Sequence, residues 1–235
     1  MKEERFFYQP DINVGELTKE DTQHAVRVLR MREGDEMWLM DGKGTFYRAE
    51  IIAASNHRCA YRIVERMPQE PAWQGHLHLA MAPTKLNDRT EWFAEKATEI
   101  GFDELSFLDC QYSERHSLKV ERIDKIVISA MKQSRKAWKP KVNEMQDFSQ
   151  FVHSPFNGDR FICHCYEGEK ENLFDVLTPG NDALVMIGPE GDFSIDEVRL
   201  AEENGFKAVT LGKSRLRTET AALVAVHLMH LKNTI

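Results

Sequence analysis

The chain has 235 residues, 42% of them hydrophobic, and a formal net charge of −7. This length allows one large domain or two small ones with a sizeable core. No apolar run approaches the roughly twenty residues that cross a bilayer, and four unevenly placed cysteines do not resemble a disulfide framework. We therefore expect a soluble protein of the reducing cytoplasm, with no membrane partner.

Charge is distributed unevenly along the sequence. Residues 113–141 contain nine Lys and Arg against three acidic residues, whereas residues 142–205 contain three against fourteen. Residues 206–235 are basic again, with a net charge of +4. Because a phosphate meets the local potential rather than the total charge, the acidic balance does not exclude a nucleic-acid partner. A solvated helix face explains the basic stretch equally well on charge alone.

The first 66 residues predict a small, mostly β unit. A helix is predicted to begin at residues 18–21, with Arg27 and Arg30 near its end. Strand patterns follow at residues 37–40, 45–52 and 58–64. The sequence Asp41-Gly42-Lys43-Gly44 between the first two of these is a strong hairpin signal. Residues 67–71 contain two prolines, as a stiff linker does, and we place the domain boundary there.

Strand and helix patterns alternate after this linker, which is typical of an α/β domain. We predict strands at residues 76–81, 105–108 and 160–165, and helices at residues 88–100, 118–135 and 173–177. Asp88 and Glu91 have the spacing of a capping box, and Trp92 falls on the predicted buried stripe of that helix. The last helix, residues 218–231, is apolar on most sides, so a partner subunit is a natural cover for it.

Two glycine-containing turns each follow a short apolar strand near the end of the chain. Residues 183–187 lead into Gly188-Pro189-Glu190-Gly191, and residues 208–211 lead into Gly212. Between them, Ser194 to Glu197 has capping-box spacing and opens a helix. Because ligands of open α/β sheets bind at the carboxyl ends of strands, the two turns are predicted to form two walls of one pocket.

Three familiar ligand motifs do not fit this sequence. Gly212-Lys213-Ser214 resembles the end of a phosphate loop, but Lys207 stands where that loop requires glycine. The turn at residues 188–191 lacks the dinucleotide pattern Gly-x-Gly-x-x-Gly. Residues 163–165, Cys-His-Cys, would alternate across a strand, which is poor geometry for a metal. We therefore predict no metal site.

The same turns carry a resemblance to a known family. Residues 187–191 with Ser194 and Glu197, followed by Leu211-Gly212 and residues 216–221, resemble the signature of the RsmE family, methyltransferases that act on N3 of a uracil in 16S ribosomal RNA. Further matches extend the resemblance over nearly the whole length, at residues 24–31, 41–42, 95–101, 113–115 and 133–135. Asp192, Lys132 and Ser214 depart from the family pattern, which usually has Gly, Glu and Arg there.

The resemblance implies a fold and a set of partners that spacing alone does not give. It implies an α/β protein with a trefoil-knotted C-terminal domain of the SPOUT class at residues 72–235 and an N-terminal PUA-like β-barrel at residues 1–68. It further implies S-adenosylmethionine as methyl donor, 16S ribosomal RNA or the small ribosomal subunit as substrate, and a homodimer. General topology rules make such a knot improbable beforehand.

Site residues follow from the same resemblance and from the chemistry of methyl transfer. The donor would be held by Ile187, Gly188, Pro189, Glu190, Gly191, Leu211, Gly212, Leu216 and Thr220. RNA contacts are expected from Arg27, Arg30, Arg115, Lys132 and Arg135. The catalytic candidates are Arg217, Glu190 and Arg215.

Each catalytic candidate has its own proposed part. Arg217 would stabilise the uracil anion that forms when N3 loses its proton. Glu190 is either the base or a solvated capping group, and Arg215 would replace the arginine missing at Ser214.

Two other function classes remain open at this point. A non-catalytic RNA-binding module would explain the basic helix and the β unit, and a nucleotide-hydrolysing enzyme would explain Gly212-Lys213-Ser214. Tight binding of S-adenosylmethionine would argue against the first class. Binding of ATP with Mg²⁺ would favour the second.

Overall fold

The computed structural model describes residues 5–234, which form two compact units. The first contains the described residues up to Pro71 together with Met131–Lys139. The second contains Ala72–Ala130 and the described residues from Pro140 onward. A proline-containing linker lies where the chain first passes between the units, but nothing in the sequence predicted that Met131–Lys139 belongs with the first. No described helix is both long and apolar enough to cross a bilayer.

The first unit is built on a four-stranded sheet in the order β1-β2-β3-β4. Its strands are β1 Phe6–Tyr8, β2 Glu36–Met40, β3 Thr45–Ala54 and β4 Cys59–Pro68. The predicted hairpin between β2 and β3 is confirmed, and the carboxylate of Asp41 accepts the N–H groups of Lys43 and Thr45. Alternate residues of β3 are buried, which gives the sheet its apolar face.

The predicted helix of the first unit has two parts. It begins as an α-helix, α1 Lys19–Gln23, and continues as a π-helical turn over His24–Val28. Thr18 caps it by accepting the N–H of Asp21.

Met131–Lys139 belongs to the first unit because it pairs with the β2–β3 hairpin. Gly44 donates its N–H to the carbonyl of Ala137, and Lys139 donates to the carbonyl of Gly42, both at 3.0 Å. Gly44 has a φ of 93°, and a Cβ atom there would lie 2.2 Å from the indole ring of Trp138. Glycine is therefore required at this position both for its backbone conformation and for the close approach of Trp138.

The second unit contains a seven-stranded parallel sheet in the order β7-β6-β5-β10-β8-β11-β9. Its strands are β5 Leu77–Met81, β6 Glu104–Asp109, β7 Lys141–Asp147, β8 Asp159–Cys163, β9 Glu171–Asn172, β10 Ala183–Ile187 and β11 Lys207–Thr210. All five residues of β5 and of β10 are buried, as expected for central strands covered on both faces. The strands β7 and β9 were not predicted, because their residues are polar and alternate little.

Helices cover the sheet and complete two hydrophobic clusters. They are α2 Asn87–Ile100, α3 Val120–Ser134, α4 Phe148–Val152, α5 Leu173–Val176, α6 Ile195–Glu203 and α7 Thr218–Lys232. The helix α4 was not predicted. The first cluster contains buried residues of α2 and α7, and the second contains buried residues of α4 and α6.

Two predictions about α2 were wrong. No side chain caps its first turn, since the N-cap position is Leu86 and the helix begins one residue before Asp88. Trp92 is 44% exposed, whereas Phe93, Ala94 and Ala97 form the buried face. At the start of α7, Thr218 is the first helical residue, and Arg217 holds the N-cap position without a side-chain hydrogen bond.

A buried polar network lies at the amino ends of β5, β6 and β7. The ring Nε2 of His78 is 2.9 Å from Oγ of Ser106, which also accepts a hydrogen bond from Asn143. Burial lowers the pKa of His78 to about 4. Burial by itself would raise the pKa of Glu104, but hydrogen bonds from Asn143 and Lys141 outweigh it and lower that pKa to about 2. The network therefore favours the neutral form of His78 and the ionised form of Glu104.

Candidate functional site

The first glycine turn follows β10 and leads directly into α6. The predicted capping box is confirmed, because Ser194 Oγ accepts the N–H of Glu197 at 3.2 Å and Glu197 Oε2 accepts the N–H of Ser194 at 2.7 Å. A Cβ atom on Gly188 would lie 3.0 Å from the backbone nitrogen of Phe193. Glycine thus lets the turn close tightly at the end of β10.

The second glycine turn follows β11. The hydroxyl of Thr210 accepts the N–H of Gly212 at 3.2 Å and donates to its carbonyl at 3.0 Å, and Gly212 has a φ of 128°. In a phosphate loop the Ser or Thr opens a helix, but α7 begins only at Thr218. The local structure at Lys213-Ser214 therefore differs from a phosphate loop, as the spacing of glycines predicted.

A third wall comes from the end of β8. The two glycine turns follow β10 and β11, which are consecutive along the chain but are separated in the sheet by β8. The strand β8 ends at Cys163, so the alternation expected over residues 163–165 does not occur, and all three of these residues line the same cavity. Tyr166 donates its hydroxyl to the carbonyl of Phe193 at 2.7 Å, which joins this segment to the first glycine turn.

The three walls enclose a cavity of about 1000 Å³. Its lining includes the two glycine turns, which supply all the predicted donor-binding residues except Thr220: Ile187, Gly188, Pro189, Glu190, Gly191, Leu211, Gly212 and Leu216. Arg215 and Arg217 also line it. The cavity is large enough for a cofactor-sized ligand. Thr220 lies in the first turn of α7, half-buried and outside the lining.

The protonation of nearby thiol and imidazole groups limits the chemistry of the cavity. Burial raises the pKa of the Cys163 thiol to about 12, and burial together with Asp192 raises that of Cys165. Burial and the ammonium of Lys170 lower the pKa of His164. Both thiols and the imidazole are therefore neutral near pH 7, and the thiols are poor nucleophiles.

The loop between β5 and α2 is fastened to the first glycine turn. Glu190 Oε1 accepts the N–H of Lys85 at 2.8 Å. The guanidinium of Arg115 donates to the carbonyls of Thr84 and Lys85, at 3.3 and 2.7 Å. Glu190, a candidate base, and Arg115, a candidate RNA contact, thus both hold this loop in place.

Comparison with known proteins gives this cavity its context. A family model described as an RNA methyltransferase domain matches residues 71–230, and one described as an RNA methyltransferase PUA domain matches residues 17–64. The ribosomal RNA small subunit methyltransferase E of Mycobacterium bovis is 30% identical over 215 residues, which cover 86% of this chain and 80% of that protein. This chain belongs to the RsmE family of RNA methyltransferases.

Two solved structures extend the similarity over both units. A probable rRNA-methyltransferase from Porphyromonas gingivalis shares 40% identity and a TM-score of 0.92, with 97% of this chain and 98% of the other covered. The ribosomal RNA small subunit methyltransferase E of Neisseria gonorrhoeae, solved with bound S-adenosyl methionine, shares 27% identity and a TM-score of 0.86 over the same shares. An α/β fold with an N-terminal mixed sheet and a C-terminal parallel sheet is thus shared with these RsmE-type proteins.

Asp192 was noted as a departure from the RsmE pattern, which usually has glycine there. Its φ is 68°, in the left-handed region that glycine adopts most easily. The carboxylate accepts the N–H of Cys165 through Oδ2 and that of Phe193 through Oδ1, both at 2.8 Å. Asp192 therefore keeps a glycine-like backbone and adds a direct link between the first glycine turn and the third wall.

Four of the five predicted RNA-binding residues of this RsmE-family chain lie in the first unit. Arg27, Arg30 and Arg135 are exposed there, and Lys132 is within 3.5 Å of the carboxylate of Asp21. The guanidinium of Arg135 also lies over the ring of Phe6, 5.4 Å from its centre. Arg115 is the fifth and lies in the second unit. Their contact with RNA stays a prediction.

Proposed function

We propose that the protein transfers a methyl group from S-adenosylmethionine to N3 of a uridine in 16S ribosomal RNA. The observation that carries this proposal is the cavity at the carboxyl ends of β8, β10 and β11, lined by both glycine turns of an RsmE-family chain. Support for the donor also comes from the relative of Neisseria gonorrhoeae, whose structure contains it.

The cavity walls fit such a donor. The residues that would hold it are those of the two turns named above, because the backbone at glycine can approach a ligand closely. Gly212 illustrates this, since a Cβ atom there would meet no other atom within 4 Å. S-adenosylmethionine would supply an electrophilic methyl group, and the walls would hold it in line with the attacking nitrogen. Thr220, also proposed as a donor contact, has less support because it lies outside the lining.

Methylation at N3 requires the loss of the proton on that nitrogen. We assign Arg217 to the stabilisation of the resulting uracil anion, because its exposed side chain lines the cavity and carries a fixed positive charge. Arg215, two residues earlier, would add a second positive charge that stabilises the same anion. Glu190 is the proposed base, and its exposed position supports proton exchange with solvent.

Finer features of the RsmE class complete the proposal. The residue boundaries 1–68 and 72–235 for a PUA-like β-barrel and a SPOUT domain are supported by the ranges of the two family models. A trefoil knot in the second of these would follow from SPOUT membership. A homodimer is supported by the half-buried apolar residues of α7, which are Leu223, Val224, Leu228 and Leu231. Cytoplasmic localisation follows from the ribosomal substrate.

The decisive experiment uses the full-length protein, methyl-labelled donor and small ribosomal subunits that lack uridine methylation. Nuclease digestion and mass spectrometry against a 3-methyluridine standard would locate the product. Large subunits serve as the control substrate, and ATP with Mg²⁺ tests the hydrolase alternative. Donor binding without 3-methyluridine in the small-subunit RNA would refute the proposed reaction.

A further inference from the structure

One charged pair beside the cavity was not identified from the sequence. Arg89 lies in the first turn of α2 and lines the cavity, with 34% of its side chain exposed. Its Nε atom is 3.8 Å from Oε1 of Glu219, in the first turn of α7. The side chain of Glu219 is only 9% exposed, and its second oxygen, Oε2, is buried without a hydrogen-bond partner.

The burial of the Glu219 carboxylate is unfavourable for stability. A buried carboxylate is normally paired and fully hydrogen-bonded, because the desolvation of an unpaired charge is unfavourable. Here one oxygen has a single long contact and the other has none. The position of Glu219 directly behind a cavity-lining arginine indicates that its charge acts on the guanidinium of Arg89.

The backbone that carries Arg89 is firmly held. Thr84 and Thr90 are fully buried, and their hydroxyl oxygens lie 2.8 Å apart. Thr84 also accepts through its carbonyl a hydrogen bond from Arg115, and the adjacent N–H of Lys85 is bound by Glu190. Side chains on such supported elements keep their orientation toward a ligand.

The charges around the cavity indicate what Arg89 would bind. The lining contains five cationic side chains, Arg89, Lys170, Lys213, Arg215 and Arg217, against the carboxylates of Glu190 and Asp192. An excess of positive charge does not favour the binding of a sulfonium donor, which is itself a cation. It does favour the binding of RNA phosphates and of a deprotonated uracil, which are anions. Guanidinium groups are well suited to such oxyanions because they donate two parallel hydrogen bonds.

We propose that Arg89 binds an oxyanion of the target nucleotide, and that Glu219 is the positioning residue that orients its guanidinium. This inference rests on the proposed methyl transfer to RNA. The oxyanion is either a phosphate oxygen or a carbonyl oxygen of the uracil anion. Arg89 touches substrate in both cases, and Glu219 acts only through Arg89.

The test compares Arg89→Ala, Arg89→Lys and Glu219→Gln in the full-length protein, with the double variant of Arg89→Ala and Glu219→Gln. Arg199→Ala is the matched control, since Arg199 is exposed on α6 and outside the cavity lining. Calorimetry with S-adenosylhomocysteine reports cofactor-site affinity, steady-state kinetics on undermethylated small subunits give kcat and KM, and thermal melting reports folding.

Arg89→Ala should lower kcat/KM by about 10- to 100-fold, the loss expected for charged hydrogen bonds, with cofactor-site affinity kept. A higher KM that Arg89→Lys largely restores identifies a phosphate. A lower kcat that lysine does not restore identifies the uracil oxygens. Glu219→Gln should lower kcat/KM by about 5- to 10-fold, and this effect should vanish in the Arg89→Ala background.

The contrary results are equally definite. Unchanged kinetics of Arg89→Ala, or a matching loss of S-adenosylhomocysteine affinity, would overturn the role of Arg89 toward RNA. Additive effects in the double variant would overturn the positioning role of Glu219, and Arg89→Ala still tests the first claim if Glu219→Gln does not fold. A failure of the proposed function can be told apart from a failure of the roles of Arg89 and Glu219, because in the first case the wild-type protein itself would produce no 3-methyluridine.

Discussion

Asp192 offers the sharpest test of how the cavity is held together. It combines a left-handed backbone with two hydrogen bonds from its carboxylate to the N–H groups of Cys165 and Phe193. Replacing it with alanine removes both hydrogen bonds and keeps the unfavourable φ. Replacing it with glycine removes the same hydrogen bonds but relieves the backbone.

The magnitudes follow from these two contributions. Each partly exposed hydrogen bond contributes about 1 kcal/mol, so Asp192→Ala should lower the free energy of unfolding by about 2 kcal/mol. The left-handed conformation costs a residue with a Cβ atom about 1 kcal/mol, so Asp192→Gly should lose only about 1 kcal/mol. The difference between the two variants measures the backbone strain, and the loss they share measures the two hydrogen bonds, one of which, from Cys165, links to the third wall.

Urea unfolding of both variants measures these values, and calorimetry with S-adenosylhomocysteine shows whether the loosened wall weakens the ligand site. Asp196→Ala is the control, because this aspartate has 87% of its side chain exposed on α6 and should change stability by less than about 0.5 kcal/mol. Equal losses for alanine and glycine would refute the strain argument. Full stability of Asp192→Ala would refute the link.

Three further predictions concern the catalytic groups and the buried network. Arg217→Ala should abolish methyl transfer with S-adenosylhomocysteine affinity largely kept in calorimetry, because its charge is proposed to stabilise the uracil anion; loss of that affinity would contradict this role. Glu190→Gln should keep the acceptor for the N–H of Lys85 but lose proton uptake, so normal melting with kcat lowered at least about 100-fold is expected, and a normal kcat would exclude Glu190 as base. His78 has its pKa lowered from 6.5 to about 4 by burial, so the folded state binds fewer protons than the unfolded state between these values, and stability falls with falling pH. In urea unfolding, the wild-type protein should lose about 3 kcal/mol more between pH 7 and 4 than His78→Gln does; equal losses would contradict the neutral state of His78.

The regular elements of the second unit were largely predictable because their patterns are local. Buried strands such as β10 appear as short apolar runs, and the capping box at Ser194 fixes the start of α6 by itself. By contrast, β7 reads Lys-Val-Asn-Glu-Met-Gln-Asp, and only its pairing with β6 makes it a strand. The exposure of Trp92 likewise depends on which face of α2 meets α7.

That both glycine turns line one cavity was predictable from the sequence, but two other parts of the site were not. The wall after β8 could not be predicted, because the order of strands along the chain does not show that β8 lies between β10 and β11 in the sheet. Arg89 and Glu219 are 130 positions apart, and each looks like an ordinary helix charge by itself. The contact between α2 and α7 brings them together. A signal was nevertheless present, since Glu219 is the one acidic residue of α7, a helix that is apolar on most sides.

The first glycine turn does more than approach a ligand. Its two carboxylates point to neighbouring segments, since Glu190 binds the N–H of Lys85 and Asp192 binds that of Cys165. The segments that follow β5, β8 and β10 are thereby joined through one short loop, which links two walls of the cavity to the loop that precedes α2. A proton taken up by Glu190 would weaken its hydrogen bond to the loop that precedes Arg89, because a neutral carboxyl is a poorer acceptor than a carboxylate. In the proposed reaction, proton uptake by Glu190 and its hold on that loop would therefore be coupled.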